Sequence, residues 1–305
     1  MLPDPVHAVE GLGFPEALRW RDGELWFSDM FRGRVCRWRP GGAVQTVLAA
    51  ADGGPEIPGG LGWLADGRLL VVDSLERRLL ALGPGGVTVH AELADRMAHP
   101  ANDLHVDPDG TAWVGGYGFD PERVERGIER PRPSRLLRVA PDGVVAEAAA
   151  ELVFPNGCER AADGSLVVAE TFADRVAILD PRAERRLREV RLRPGDGPDG
   201  LSIAPDGSVY VALAFVGAVV RIAGTDGGAD GAVDGAVEPV YRAPAIPDGP
   251  GAGALGCYDC AVHPDGDRIA VACASLDESL AARVDTGRIV LLPLAPVPLA
   301  QLRRA

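Results

Sequence analysis

Six Asp-Gly pairs divide this chain: Asp22-Gly23, Asp66-Gly67, Asp109-Gly110, Asp163-Gly164, Asp206-Gly207 and Asp265-Gly266. Successive pairs lie 44, 43, 54, 43 and 59 residues apart. A recurring interval of about 40–45 residues is the signature of propeller blades or solenoids. Each pair separates two apolar runs, as GLGWLA and RLLVVD do around the second, and Asp-Gly between alternating runs is a strong hairpin signal. A third run often follows, such as RRLLAL, DRVAIL or GRIVLL. Three clear strands and a weaker fourth, six times over, predict an all-β fold: a six-bladed β-propeller with four-stranded blades, forming a single domain over residues 1–305. A ring packs each blade between two others, so both faces of a strand can be apolar, as in VVD and VVAE. The last repeat lacks an outer strand after RIVLLPL, and the N-terminal VHAVE is expected to supply it and close the ring.

The two long intervals hold insertions. Asp120–Arg135, DPERVERGIERPRPSR, is charged and Pro-rich and falls inside blade 3; Gly224–Pro239, GTDGGADGAVDGAVEP, is a low-complexity tip. A further loop, APAIPDGPGAGALG, precedes blade 6. All three read as solvent loops, and the blade 3 insertion is the best placed to act as a lid. RAERRLREV has too short a helical period to make a helix.

The hydrophobic share of 47% suits a sizeable core. A net charge of −13 argues against a nucleic-acid partner. No apolar run reaches the ~18 residues of a spanning helix, and MLPDPVHAVE has no basic or apolar leader region. No membrane association and a cytoplasmic location are therefore expected. A closed ring leaves few free edges, so a monomer is expected.

One position breaks the repeat. Seven residues before each Asp-Gly pair stand Gly59, Asn102, Asn156, Asp199 and Tyr258; blade 1 is one residue shorter there and has Glu16. Two positions on, the residues are uniformly apolar: Leu18, Leu61, Leu104, Cys158, Leu201 and Cys260. A residue needed by the blade itself would repeat in every blade. The variable column sits at the entry of the first strand, which in a propeller lines the central channel. Glu16, Asn102, Asn156 and Asp199 should therefore converge on the axis. Two carboxylates and two amides suit one hard divalent cation, and without a cation the carboxylates would repel and raise each other's pKa. Gly59 and Tyr258 are expected to leave room for water or substrate.

Other candidates carry less. Cys257 and Cys260 have CxxC spacing but no partner pair, and residues three apart in a strand are expected on opposite faces. Cys36 and Cys273 read as core residues. His99 and His105 flank Asn102 and read as surface or satisfied-core residues, and His263 as exposed. No Gly-x-Ser-x-Gly elbow or P-loop occurs.

The same residues carry a resemblance. Pro15-Glu16 before WRDGELWFSDMFRGRVCRW, Asn102-Asp103 in PANDLHVDPDGTAWVGGYGFD, FPNG at Phe154–Gly157 and PDG at Pro198–Gly200 resemble the SMP-30/gluconolactonase/luciferin-regenerating family, in a bacterial subgroup. The resemblance spans nearly the whole chain. It implies a six-bladed propeller with a divalent metal on the axis, ligated by Glu16, Asn156 and Asp199. It implies that Asn102 binds substrate or completes the metal sphere, and that Asp199 is general base or nucleophile. Sugar lactonases of that family often carry Arg two residues before the Asn102 position and Gly after the Asn-Asp pair. Here Pro100 and Leu104 stand there, so the site is less equipped for a polyhydroxylated acid.

The reaction expected is metal-assisted hydrolysis of a small lactone or related ester, with calcium as the first choice of ion and zinc, magnesium or manganese as alternatives. Asp199 would take the proton of the attacking water, Asn102 would orient the substrate and Tyr258 would contact its ring or leaving oxygen. Tyr117 and Phe119 would form the mouth under the insertion. Two rival readings stay open: a non-hydrolytic metal enzyme of cyclase or condensing type, and a binding propeller without chemistry.

Overall fold

The Asp-Gly turns close hairpins by a repeated set of bonds. The protein is described by a computed structural model that covers residues 6–223 and 237–294. At the second pair, the Leu64 carbonyl accepts from the Gly67 N–H at 2.9 Å and the Leu64 N–H donates to the Arg68 carbonyl at 2.9 Å. Gly67 has φ +87°, a left-handed conformation that only glycine adopts freely. Asp66 Oδ1 accepts from the Arg68 N–H at 3.0 Å, and Asp109, Asp163 and Asp206 make the same bond two residues on. In blade 1 both Asp22 and Gly23 are left-handed and Arg21 pairs directly with Glu24. That two-residue turn is why this repeat is one residue shorter.

Six four-stranded antiparallel sheets result. Blade 1 runs Pro15–Arg21, Glu24–Asp29, Arg34–Trp38, Gln45–Ala49. The first strands of the next five blades are Pro58–Trp63, Ala101–Val106, Pro155–Arg160, Pro198–Ile203 and Leu255–Val262. Each first strand touches the first strand of the next blade, and that of blade 6 touches blade 1, which closes the circuit. Second strands such as Leu69–Asp73 and Leu166–Glu170 are buried at every residue, as two-sided packing requires.

Blade 6 takes its outer strand from the other end of the chain: Val6–Leu12 pairs with Gly287–Pro293, with Val9 opposite Ile289 and Leu12 opposite Gly287. Val9 and Leu12 are buried. Deleting residues 1–12 removes both apolar side chains and leaves an open edge. The expected cost is about 3–6 kcal/mol, read as a lower denaturation midpoint of the truncated chain.

The blade 3 insertion forms a short helix, α1 (Pro121–Glu125), capped by Asp120; a second, α2 (Glu278–Ala281), is capped by Asp277 and follows the second strand of blade 6. The Arg-rich segment makes the outer strand of blade 4, Arg186–Arg191. Of the second insertion, residues 224–236 lie outside the described residues, and Val237–Arg242 is the outer strand of blade 5. No helix among the described residues is long and apolar enough to cross a membrane.

Candidate functional site

Each first strand carries a β-bulge at the odd column. In blade 4, Pro155 pairs with Glu170 and Cys158 with Val168, so one residue more stands on the inner strand than on its partner. The same slip occurs in the other five blades. Bulges break the alternation of faces and re-aim side chains. Cys257 and Cys260 therefore pack in one cluster with Cys273 rather than on opposite faces as expected, and all five cysteines are buried and free.

Above the bulge, Glu16, Asn102, Asn156 and Asp199 line one cavity of about 290 Å³, with Tyr117 and Tyr258 in its wall. Pro121 and Glu125 of the insertion reach it too. Asn156 donates its Nδ2 to Thr171 Oγ1 at 3.3 Å and accepts at Oδ1 from Asn102 Nδ2 at 2.8 Å. A wider cleft of about 870 Å³ lies between blades 3 and 4, but it holds none of the column residues and its Arg160 is already paired with Asp107.

Three expectations need correction. Phe119 is fully buried and does not line the cavity; it packs edge-on behind Tyr117, Phe154 and Phe172. Tyr258 presents its ring, but its hydroxyl donates to the Ser275 carbonyl at 3.0 Å and is not turned toward a leaving group. Gly59 leaves no room: a side chain there would overlap the Asn102 carbonyl. His99 lies in a separate cleft. His105 contacts Asp107 at 3.2 Å. His263 is half-buried, edge-on to Trp20, and so is not the exposed residue expected.

Below the column lies a layer that the repeat reading missed. The next position in each blade holds Ala17, Gly60, Asp103, Gly157, Gly200 and Asp259. A methyl group on Gly200 would overlap Asp259 Oδ1, so glycine is what lets adjacent blades meet here. Asp103 and Asp259 are bridged by Arg19. Its Nη2 donates to both Asp103 oxygens at 2.9 and 3.2 Å, and its Nη1 lies 3.5 Å from Asp259 Oδ2. Asp259 also accepts the backbone N–H groups of Leu18 and Cys260.

The upper carboxylates have no such counter-charge. Burial first, then the charges of Asp199, Asp259 and Asp103, hold Glu16 well above the usual carboxylate range. Asp199 is raised by burial, then by Asp259, Asp103 and Glu278. Asp199 Oδ1 is buried without a hydrogen-bond partner, and the one bond Glu16 accepts, from the Ala17 N–H, is long at 3.3 Å. Among the described residues no group of three or more His, Cys, Asp or Glu side chains forms a metal cage. The set here has two carboxylates and completes itself with amides. An orphaned carboxylate oxygen, a second carboxylate and two amides are oxygen donors with unspent capacity, and they fit a hard divalent cation.

The model of the SMP-30/gluconolactonase/LRE-like region matches residues 14–254. The chain belongs to this family. The match contains all four column residues but ends before Tyr258, Asp259 and Glu278. Solved structures similar to the chain include regucalcin, a calcium-binding protein from Agrobacterium tumefaciens, at 20% identity and TM-score 0.66, covering 94% of this chain and 93% of that one. A gluconolactonase from Xanthomonas campestris is 19% identical with TM-score 0.66 and coverage of 96% and 95%. A virginiamycin B lyase from Staphylococcus aureus is 14% identical with TM-score 0.58, covering 92% and 80%. At such identities the likeness is one of fold. No match was found among curated protein sequences.

Proposed function

We propose that this protein is a metal-dependent hydrolase that opens a small lactone or related ester in the axial cavity. Family membership and the gluconolactonase and regucalcin neighbours support a lactonase-type reaction and a divalent ion. The observation that carries the reading is the unpartnered Asp199 Oδ1 beside Glu16 in a closed, partly apolar cavity.

Glu16, Asn156 and Asp199 would hold the cation, calcium first by ligand chemistry. When bound, such an ion supplies a Lewis acid that polarises the ester carbonyl. Asp199 takes a proton from the water that adds to the carbonyl carbon. As the ring C–O bond breaks, that proton passes to the departing alkoxide oxygen, and the product is a hydroxy acid. Asn102 orients the substrate, since its amide already bonds across to Asn156. The aromatic wall excludes bulk water.

The test is elemental analysis with a thermal melt before and after chelator, followed by a lactone and ester screen with the metal restored. One divalent ion per chain, a melting point that falls on chelation, and turnover that returns with calcium are expected. A protein that carries no metal and whose melting ignores both chelator and added cations would overturn the reading.

A further inference from the structure

The cavity that holds the column is unlike the rest of the molecule in two ways. Aromatic residues make up only 5% of the chain. Yet five of its seven phenylalanines, Phe14, Phe31, Phe154, Phe172 and Phe215, line this one cavity. Tyr117 stacks on Phe154 at 3.8 Å and 17° between planes, Phe172 continues the wall to Phe215 at 5.7 Å, and Phe14 meets Tyr258 at 4.3 Å on the far side. Phe154 is held at φ +53°. A bulky residue in the left-handed region is strained, and such strain gathers where a side chain must be presented to a site.

The second peculiarity is charge. Four carboxylates line the cavity, those of Glu16, Asp199, Glu125 and Glu278, and among the described residues no Arg, Lys or His lines it. Elsewhere Asp29, Asp73, Glu170 and Asp107 each face an arginine. Glu125 on α1 and Glu278 on α2 come from two separate insertions to the same rim. The Glu278 carboxyl is raised first by the wall that partly desolvates it and then by the charge of Glu125, so the two acids sense each other. Deeper in, Asp199 Oδ1 is buried and unpartnered. A divalent ion at the column would neutralise Glu16 and Asp199 and leave the rim pair uncompensated. An aromatic wall with unpaired acids is the chemistry that recognises an organic cation, through ring faces and charge together.

We propose that the substrate is an apolar lactone or ester that bears a protonated or quaternary amine. Its ring or chain lies on the phenylalanine wall and its cation sits between Glu125 and Glu278. This assignment rests on the hydrolase reading above and narrows its substrate class. Polyols gain little from such a wall, and anionic acids meet only like charge. The position two residues before Asn102, Pro100, brings no basic group to reverse this.

Three probes of one shape and different charge test it: 2-phenylethylamine, 2-phenylethanol and 3-phenylpropanoate, titrated calorimetrically into calcium-loaded protein near pH 7. The amine is expected to bind about tenfold tighter than the alcohol, and the acid too weakly to measure. In the Glu125→Gln/Glu278→Gln variant the ratio of amine to alcohol affinity should fall close to one. Both residues are exposed at the rim, so the variant should fold. An alcohol that binds as tightly as the amine, or a ratio unmoved in the double variant, overturns the proposal. The probes contain no ester, so this readout is separate from turnover. Lactone opening without amine preference sinks only the substrate class; amine preference without turnover of any ester sinks only the hydrolase reading.

Discussion

Asp199→Asn should lower kcat/KM by about 10²–10⁴ on whichever lactone or ester the protein opens. The amide keeps an oxygen where Asp199 Oδ1 now stands buried and unpartnered, but it cannot take a proton. The variant should fold, because burial and neighbouring charges already push the Asp199 carboxyl upward, so a neutral isostere relieves a cost. In chelator-treated protein its melting point should match or exceed that of the parent. Glu16→Gln separates charge from proton transfer. It removes the other carboxylate of the column and should weaken metal retention, raising the calcium needed for half-maximal rate. At saturating calcium its kcat should recover in a way that Asp199→Asn does not. Equal and unrescued losses in both variants would mean that Asp199 serves only as a ligand, and the general base would have to be sought elsewhere.

The blades, their number and the closure by Val6–Leu12 were legible because turn chemistry is local. Asp accepts an N–H two residues on and Gly takes the left-handed φ, so each hairpin announces itself without reference to the rest of the fold. The column was legible because Glu16, Asn102, Asn156 and Asp199 interrupt an otherwise apolar register. The bulge was not. It costs one residue of pairing and is marked by no residue type, so a reading based on strict alternation put Cys257 and Cys260 on opposite faces and looked at one column when two adjacent ones face inward. The signal was present in the next position, where Gly60, Gly157 and Gly200 alternate with Asp103 and Asp259. Small residues make way for large charged ones across the axis, and Arg19 is the matching cation. Phe119 was misplaced for a related reason. After the second strand of blade 3, Gly118 comes so near the Arg132 and Pro133 carbonyls that no side chain fits. The insertion is pressed against the blade, and the residue beyond the glycine is carried behind the wall.

Arg19→Met should be the most destabilising single change in the channel, at about 3–5 kcal/mol in denaturant melts, because it leaves Asp103 and Asp259 buried without their cation. The Asp259 side chain is 1% exposed and Asp103 11%, and burial moves Asp259 from an ordinary 3.8 up to about 7 even with Arg19 pulling it down. A carboxyl whose folded value lies above its unfolded one favours folding when protonated. Its contribution is complete below about pH 4 and is lost as pH rises through about 7. Without Arg19 the folded value climbs further. The variant should therefore regain stability relative to the parent as pH falls from 8 to 5. Adding Asp103→Asn and Asp259→Asn to Arg19→Met should recover most of the loss at pH 8 and flatten the pH dependence. A deficit that is the same at both pH values, and that the asparagines do not repair, would assign the role of Arg19 to packing of its stem and not to charge. If the loss is electrostatic, the lower layer is a built-in counter-ion that lets four carboxylates share one channel. The upper pair, without such a partner, is then the part of the channel left to a ligand.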